Sequence, residues 1–208
     1  MRSGTGTNSL GGQYKSFSGN ALRLGNEVGN YGELSFTYWS QKPKDLDPYF
    51  KSVMTMAYYS SNNSQYENAY PQVVETYIEG GYVDHLPFTT WVGKRFYREG
   101  DVHIFDLRPY AAMNGTGGGL GKIDLGFGKL DVAYIQENKN PEGSSSIGNP
   151  NKEALDLRIH GMAEGALDAW LASASISNGD LGPSYTGFAL GLKYSSTIAD
   201  GNNSVVLA

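Results

Sequence analysis

Asp101, His103 and Asp106 lie within six residues of one another, and carboxylate–imidazole spacing of that kind can hold a metal ion or move a proton. Only three histidines exist, at 85, 103 and 160, and no further ligand-type residues converge on the group in sequence, so neither a metal nor any other cofactor is called for. The run Gly115-Thr-Gly-Gly-Gly-Leu-Gly-Lys-Ile123 has the look of a phosphate loop. Its spacing fails: Thr116 stands where the first glycine belongs, and Ile123 replaces the Ser or Thr after lysine. Loop flexibility or a tight bend explains those glycines better. Asp156-Leu-Arg158 is the arrangement of a wall salt bridge, two residues apart on one face of a strand. No nucleophile, base and acid stand in a usable order, so an enzyme is not indicated.

The elements that would carry these residues alternate with period two. Leu34, Phe36 and Tyr38 point one way, and Tyr31, Glu33, Ser35, Thr37 and Trp39 the other. Phe50, Met54, Met56 and Tyr58 likewise oppose Lys51, Thr55 and Ala57. The pattern returns at Ile123, Leu125 and Phe127, then, after a Gly128-Lys129 turn, at Leu130, Val132 and Tyr134. It recurs at Leu155, Leu157 and Ile159, at Leu167, Ala169 and Leu171, and at Phe188, Leu190, Leu192 and Tyr194, opposite Gly187, Ala189, Gly191 and Lys193. No helical period survives ten residues. The chain is all-β.

Composition agrees, with 28 Gly and 15 Tyr among 208 residues and only 18% charged. The absence of cysteine excludes disulfide frameworks and thiolate-ligated metals. Aromatics at 12% exclude wholesale disorder, and a net charge of −5 without a basic block excludes a nucleic-acid partner. No apolar run approaches the ~20 residues of a membrane helix. Met1 leads directly into Arg2-Ser3-Gly4 without a signal peptide, which for an exported protein implies a removed leader or an incomplete chain.

Short links near 41–47, 84–87, 128–129 and 164–165 alternate with long polar ones at 8–30, 61–72, 98–121, 137–151 and 177–184. Short turns at one end and long loops at the other suit an outer-membrane barrel, with one strand face toward lipid and the other lining a wet lumen. A soluble β-sandwich that binds carbohydrate is the competing architecture, with the polar face toward solvent.

Three segments decide between them: Trp91-Val-Gly-Lys-Arg-Phe-Tyr97, then Arg98-Glu-Gly-Asp-Val-His-Ile-Phe-Asp106, then Gly119 to Leu130. Together they closely resemble the maltoporin family of sugar-specific outer-membrane porins, where a W-x-G-K-R-F-Y strand leads into an inward-folded third loop of the form D-V-H-x-x-D. The likeness extends to Arg23-Leu-Gly-Asn-Glu27, to Tyr31-x-Glu33-Leu34 and to Arg2-Ser3-Gly4. It implies an antiparallel transmembrane barrel of eighteen strands, assembled as a homotrimer in the outer membrane of a Gram-negative bacterium, with loop 98–121 constricting the pore. About ten strands are countable here, plus the start of an eleventh at Ser204–Ala208, and the first strand is clipped at Arg2. Residues 1–208 are therefore expected to be the N-terminal part of a single barrel domain, unable to close alone, since open edges in lipid leave backbone groups unpaired.

The resemblance also implies a function, facilitated diffusion of maltodextrin-like oligosaccharides along an aromatic slide flanked by polar tracks. Flat rings take the apolar faces of sugars, and charged groups take the hydroxyl rim. By motif position Tyr31 falls on the slide, and Arg2, Arg23 and Glu33 fall on the tracks. Asp101 and Asp106 match carboxylates of the constriction, and Tyr66 or Tyr70 the slide aromatic that reaches a neighbouring subunit. Departures from the family pattern bear on substrate. Arg108 replaces the constriction tyrosine, and Glu99 stands at a track arginine with Arg98 beside it to supply the charge. Ser16 and Val28 replace a disulfide that staples the first loop in the best-known relatives. A general diffusion porin for ions and small solutes is the alternative that Arg108 favours. External loops of such porins are often phage docking sites, so phage joins oligosaccharide, lipid and sister subunits as a candidate partner.

Overall fold

The computed structural model describes residues 2–4, 29–42, 44, 46–60, 71–98, 112–138, 151–177, 184–198 and 201–207. Eleven strands run in chain order: β1 Arg2–Gly4, β2 Gly29–Trp39, β3 Tyr49–Ser60, β4 Gln72–Gly81, β5 Thr89–Arg98, β6 Ala112–Asp124, β7 Lys129–Asn138, β8 Asn151–Gly161, β9 Leu167–Ser177, β10 Tyr185–Ile198 and β11 Gly201–Leu207. They form one sheet in which every strand pairs only with its sequence neighbours, from β1 through β11, and every pairing is antiparallel. The architecture is all-β, as the periodicity requires, and the sheet is open, with β1 and β11 at its edges. No helix among the described residues is long and apolar enough to cross a membrane.

Because neighbours pair in order, each even-numbered strand ends at the same side of the sheet. Connections after β2, β4, β6 and β8 are short, while those after β1, β3, β5 and β7 are longer; the connection expected to be long after β9, 178–184, is no longer than the one after β4, 82–88. The expected segregation of loops is therefore present through β8. Three boundaries differ from expectation. The glycine run belongs to β6, so the long connection after β5 covers 99–111 rather than extending to 121. The following turn is Leu125 to Gly128, closed by the Leu125 amide on the Gly128 carbonyl at 2.9 Å, and Lys129 already starts β7. Leu125 and Phe127 thus belong to the turn, and β11 begins at Gly201 rather than 204.

The oily face is exposed throughout. Leu34, Phe36, Phe188, Leu190 and Leu192 all stand open on the surface, and no second sheet covers them among the described residues. A sandwich would draw its stability from burying that face, which is exposed here. The other face behaves differently from the uniformly wet wall expected. Trp91, Tyr97, Met113, Ala133, Ile135, Ala154, Trp170 and Ala172 form a buried cluster on it.

The sheet curls toward that second face. Arg158 on β8 donates through Nη2 to the Tyr97 carbonyl on β5 at 3.2 Å. In a flat sheet these strands would lie about 14 Å apart, at ~4.8 Å per strand, beyond an arginine's reach. Three local features permit the curl. Gly93 has φ of 134°, and a Cβ there would meet the Thr76 carbonyl at 2.4 Å. Gly119 lies under the Trp91 indole, so a Cβ would meet its Nε1 at 2.7 Å. A bulge between Leu120 and Ile123 places Lys122 at φ of 60°, and its displaced amide donates to Asp131 Oδ1 at 2.7 Å. Close backbone approach, rather than flexibility, accounts for the glycines of β6.

Gly119→Val should therefore push Trp91 off the inner wall and destabilise the full-length protein by about 1–3 kcal/mol, as overpacking does. Urea unfolding in detergent micelles checks this. A midpoint equal to the parent's would mean that the close approach is not needed.

Candidate functional site

The inward face of β2 to β5 carries rings and charges in alternation. Trp39 pairs with Lys51, Lys51 with Glu79, and Glu79 with Trp91 in the ladder, so one rung spans four strands. Glu79 is its centre. Its carboxylate accepts from the Tyr49 hydroxyl at 2.7 Å and from Arg95 Nη1 at 3.4 Å, with Lys51 Nζ at 3.8 Å. Both cations also lie over rings. Lys51 is 5.1 Å from the Trp39 centroid and 5.2 Å from that of Tyr77. Arg95 is 4.7 Å from Tyr77, 5.1 Å from Trp91 and 5.6 Å from Tyr97. Aromatic faces stabilise cations through the ring quadrupole, by roughly 0.5–2 kcal/mol each.

A second polar line crosses the same strands. Ser35 Oγ and Thr55 Oγ1 are 2.9 Å apart, Thr55 donates to Glu75 Oε2 at 3.1 Å, and Glu75 Oε1 accepts from the Phe96 amide at 3.2 Å. That last bond serves a backbone group beyond Lys94, where the β4–β5 ladder stops.

On β7 to β10 the inward face holds two further groups. Asp156 is 0% and Arg158 2% exposed, joined by Nε–Oδ1 at 2.7 Å and Nη2–Oδ2 at 3.2 Å, so the wall salt bridge expected from Asp156-Leu-Arg158 is present. Trp170 Nε1 donates to the same carboxylate at 2.7 Å, and the guanidinium lies 4.0 Å from the Tyr97 ring centroid. Nearer the short turns, His160 lies 3.6 Å from Asp131 and 3.9 Å from Asp168, whose other oxygen is 3.6 Å from Lys193 Nζ. These titratable groups form a row across four strands.

Of the residues singled out by sequence, Arg2 and Tyr31 occupy paired positions of β1 and β2, and Tyr31 also pairs with Tyr59 of β3. Glu33 follows two positions along β2, is exposed, and pairs with the inward Ala57. Arg98 sits elsewhere. It alternates with the buried Tyr97, and its guanidinium lies 4.1 Å over the Phe96 ring on the outward face. On β5 the inward cation is Arg95. Arg23, Tyr66, Asp101, Asp106 and Arg108 lie outside the described residues, as do Tyr70 and Glu99.

Sequence reasoning missed Lys51, Glu79 and Arg95 as a group. Each carried a detectable signal, since each alternates with an outward residue. Their convergence depends on registers between three strands, which one strand's pattern does not contain.

A curled antiparallel sheet that is oily outside and carries charges and rings inside, with every long connection at one end, defines the wall of a porin-type channel. A family model described as LamB porin matches residues 1–208, the whole chain, and the chain belongs to the LamB porin family. This is the family of sugar-specific outer-membrane porins that the motifs of strands β2, β5 and β6 resemble.

Glu79→Gln would remove the only carboxylate shared by Lys51 and Arg95 in these contacts. The full-length channel should then shift its permeability ratio toward anions, read as a change in reversal potential under a salt gradient. An unchanged potential would place this cluster off the ion path.

Proposed function

We propose that residues 1–208 form the N-terminal part of one barrel domain in a sugar-selective channel, a homotrimer in the outer membrane of a Gram-negative bacterium. The channel passes oligosaccharides by facilitated diffusion and performs no chemistry on them. The observation that carries this reading is the segregation of faces on a single sheet in a chain of this family: exposed Leu34, Phe36, Leu190 and Leu192 outward, and charges and rings inward.

In this reading Tyr31 offers a ring face to the sugar, while Arg2 and Glu33 serve its hydroxyls from neighbouring positions of the same two strands. Arg23, Asp101 and Asp106 extend the polar tracks, and Tyr66 extends the slide toward a neighbouring subunit. Arg108, in place of an aromatic, adds positive charge at the constriction and favours solutes with acidic groups over plain maltodextrin. Arg98 supplies the charge of the track position that Glu99 holds, and Arg95 adds a cation on the inward face of β5. Contacts of this kind are individually weak, as transport demands, because a solute must leave as readily as it enters. Phage docking, if these loops serve it, falls on residues outside those described.

The general-porin alternative rests on Arg108 and differs in one readout. In planar bilayers containing the full-length protein, sugars should block the ion current in a saturable way, and Tyr31→Ala should weaken that block about tenfold, the equivalent of ~1.4 kcal/mol. Current indifferent to every oligosaccharide would establish the general porin instead. On the outward face, Leu190→Arg should cost roughly 2–4 kcal/mol of folding stability in lipid if this position lies near the bilayer midplane. Reversible unfolding from vesicles measures it, and a neutral result would contradict lipid exposure there.

A further inference from the structure

Arg158 does more than complete an ion pair. Removing one partner of a buried pair is strongly destabilising, yet replacing the whole pair with apolar groups is often neutral, so stability alone is a weak reason for this one. Its geometry supplies a better reason. One face of the guanidinium fork is spent on Asp156, through Nε and Nη2. The same Nη2 reaches across β7 and β6 to the Tyr97 carbonyl, and the guanidinium plane rests on the Tyr97 ring at 4.0 Å.

Asp156 is itself held in place by Trp170 Nε1 from β9, so the fork is aimed before it meets β5. Tyr97 is the penultimate residue of β5, and its ring also stacks on Trp91 at 5.4 Å. The end of β5 is thereby tied to β8 across β6 and β7, and β6 between them carries inward glycines whose Cβ would meet the backbone of β7 at Gly115 and Gly117. From Arg98 the chain departs toward residues 99–111.

We propose that Arg158 is a positioning residue for the pore: by clasping the end of β5 to β8 across β6 and β7 it fixes the curvature of the wall, and so sets the bore and the solute affinity of the channel. The inference rests on the channel reading above. Lysine in place of arginine keeps the charge beside Asp156 but lacks the planar fork that serves carboxylate and carbonyl together.

The test uses the full-length protein in planar bilayers, with oligomer heat resistance on gels as the folding control. Arg158→Lys should form heat-resistant oligomers whose single-channel conductance rises about twofold, and whose half-blocking sugar concentration rises several-fold. Trp170→Phe, which frees Asp156 from its indole donor, should move both quantities the same way by less. Folded Arg158→Lys channels with the parent's conductance and block would overturn the inference while leaving the channel reading intact. Should Arg158→Lys fail to assemble, the neutral pair Asp156→Asn with Arg158→Gln takes its place, with the same expected rise and the same refutation. A parent that conducts no ions would overturn the channel reading, and this inference with it.

Discussion

A strand that crosses lipid cannot leave its backbone amides and carbonyls unpaired, because nothing in hydrocarbon can hydrogen-bond them. That constraint explains the simplicity of the topology. Each strand pairs with the one before and the one after it, so the ladder is built from hairpins and needs no crossover. Sequential antiparallel pairing then puts successive connections at alternate ends of the sheet, so loop length can differ between the two ends, and period two places one set of side chains outward and the other inward. Loop asymmetry and face asymmetry both rest on that one arrangement.

What the constraint leaves open is how tightly the sheet bends. Here bending is written into β5 and β6. Inward glycines let neighbouring backbone and the Trp91 indole come close, the bulge at Lys122 adds local twist, and Asp131 satisfies the amide that the bulge displaces. The inward rings of Trp39, Tyr77, Trp91 and Tyr97 each lie beneath a cation, Lys51, Arg95 or Arg158. The result is a wall whose middle is packed like a protein core, while its flanks keep charges partly exposed. Lys51, Glu79 and Arg95 on one flank and Asp131, His160, Asp168 and Lys193 on the other are joined through ion pairs that draw side chains from neighbouring strands together.

Much of this was legible in the sequence. Alternation at 34–38 and 188–194 gave strand identity and the correct outward face, and the motif from Trp91 to Asp106 gave the family. The wall pair Asp156–Arg158 followed from spacing two on a strand. Three things were not legible. Glycine clusters read equally as loop or as close approach, and only the neighbouring strand's position distinguishes the two, which is why 112–121 reads as loop in the sequence. Burial of the inward face depends on curvature, and curvature depends on what lies across two or three strands. Arg98 and Arg95 are both cations in the same motif, and their opposite faces follow from a phase set by Tyr97 and Trp91 rather than by residue type.

The central claim is that alternate residues of one strand meet two different solvents. Single cysteines at Leu190 and Leu192, and at Gly187 and Lys193, in the full-length protein in lipid vesicles test it most directly, with a water-soluble maleimide as probe. The account predicts rapid labelling at 187 and 193 and almost none at 190 and 192. Equal labelling at all four, or fast labelling at 190 and 192 alone, would contradict it.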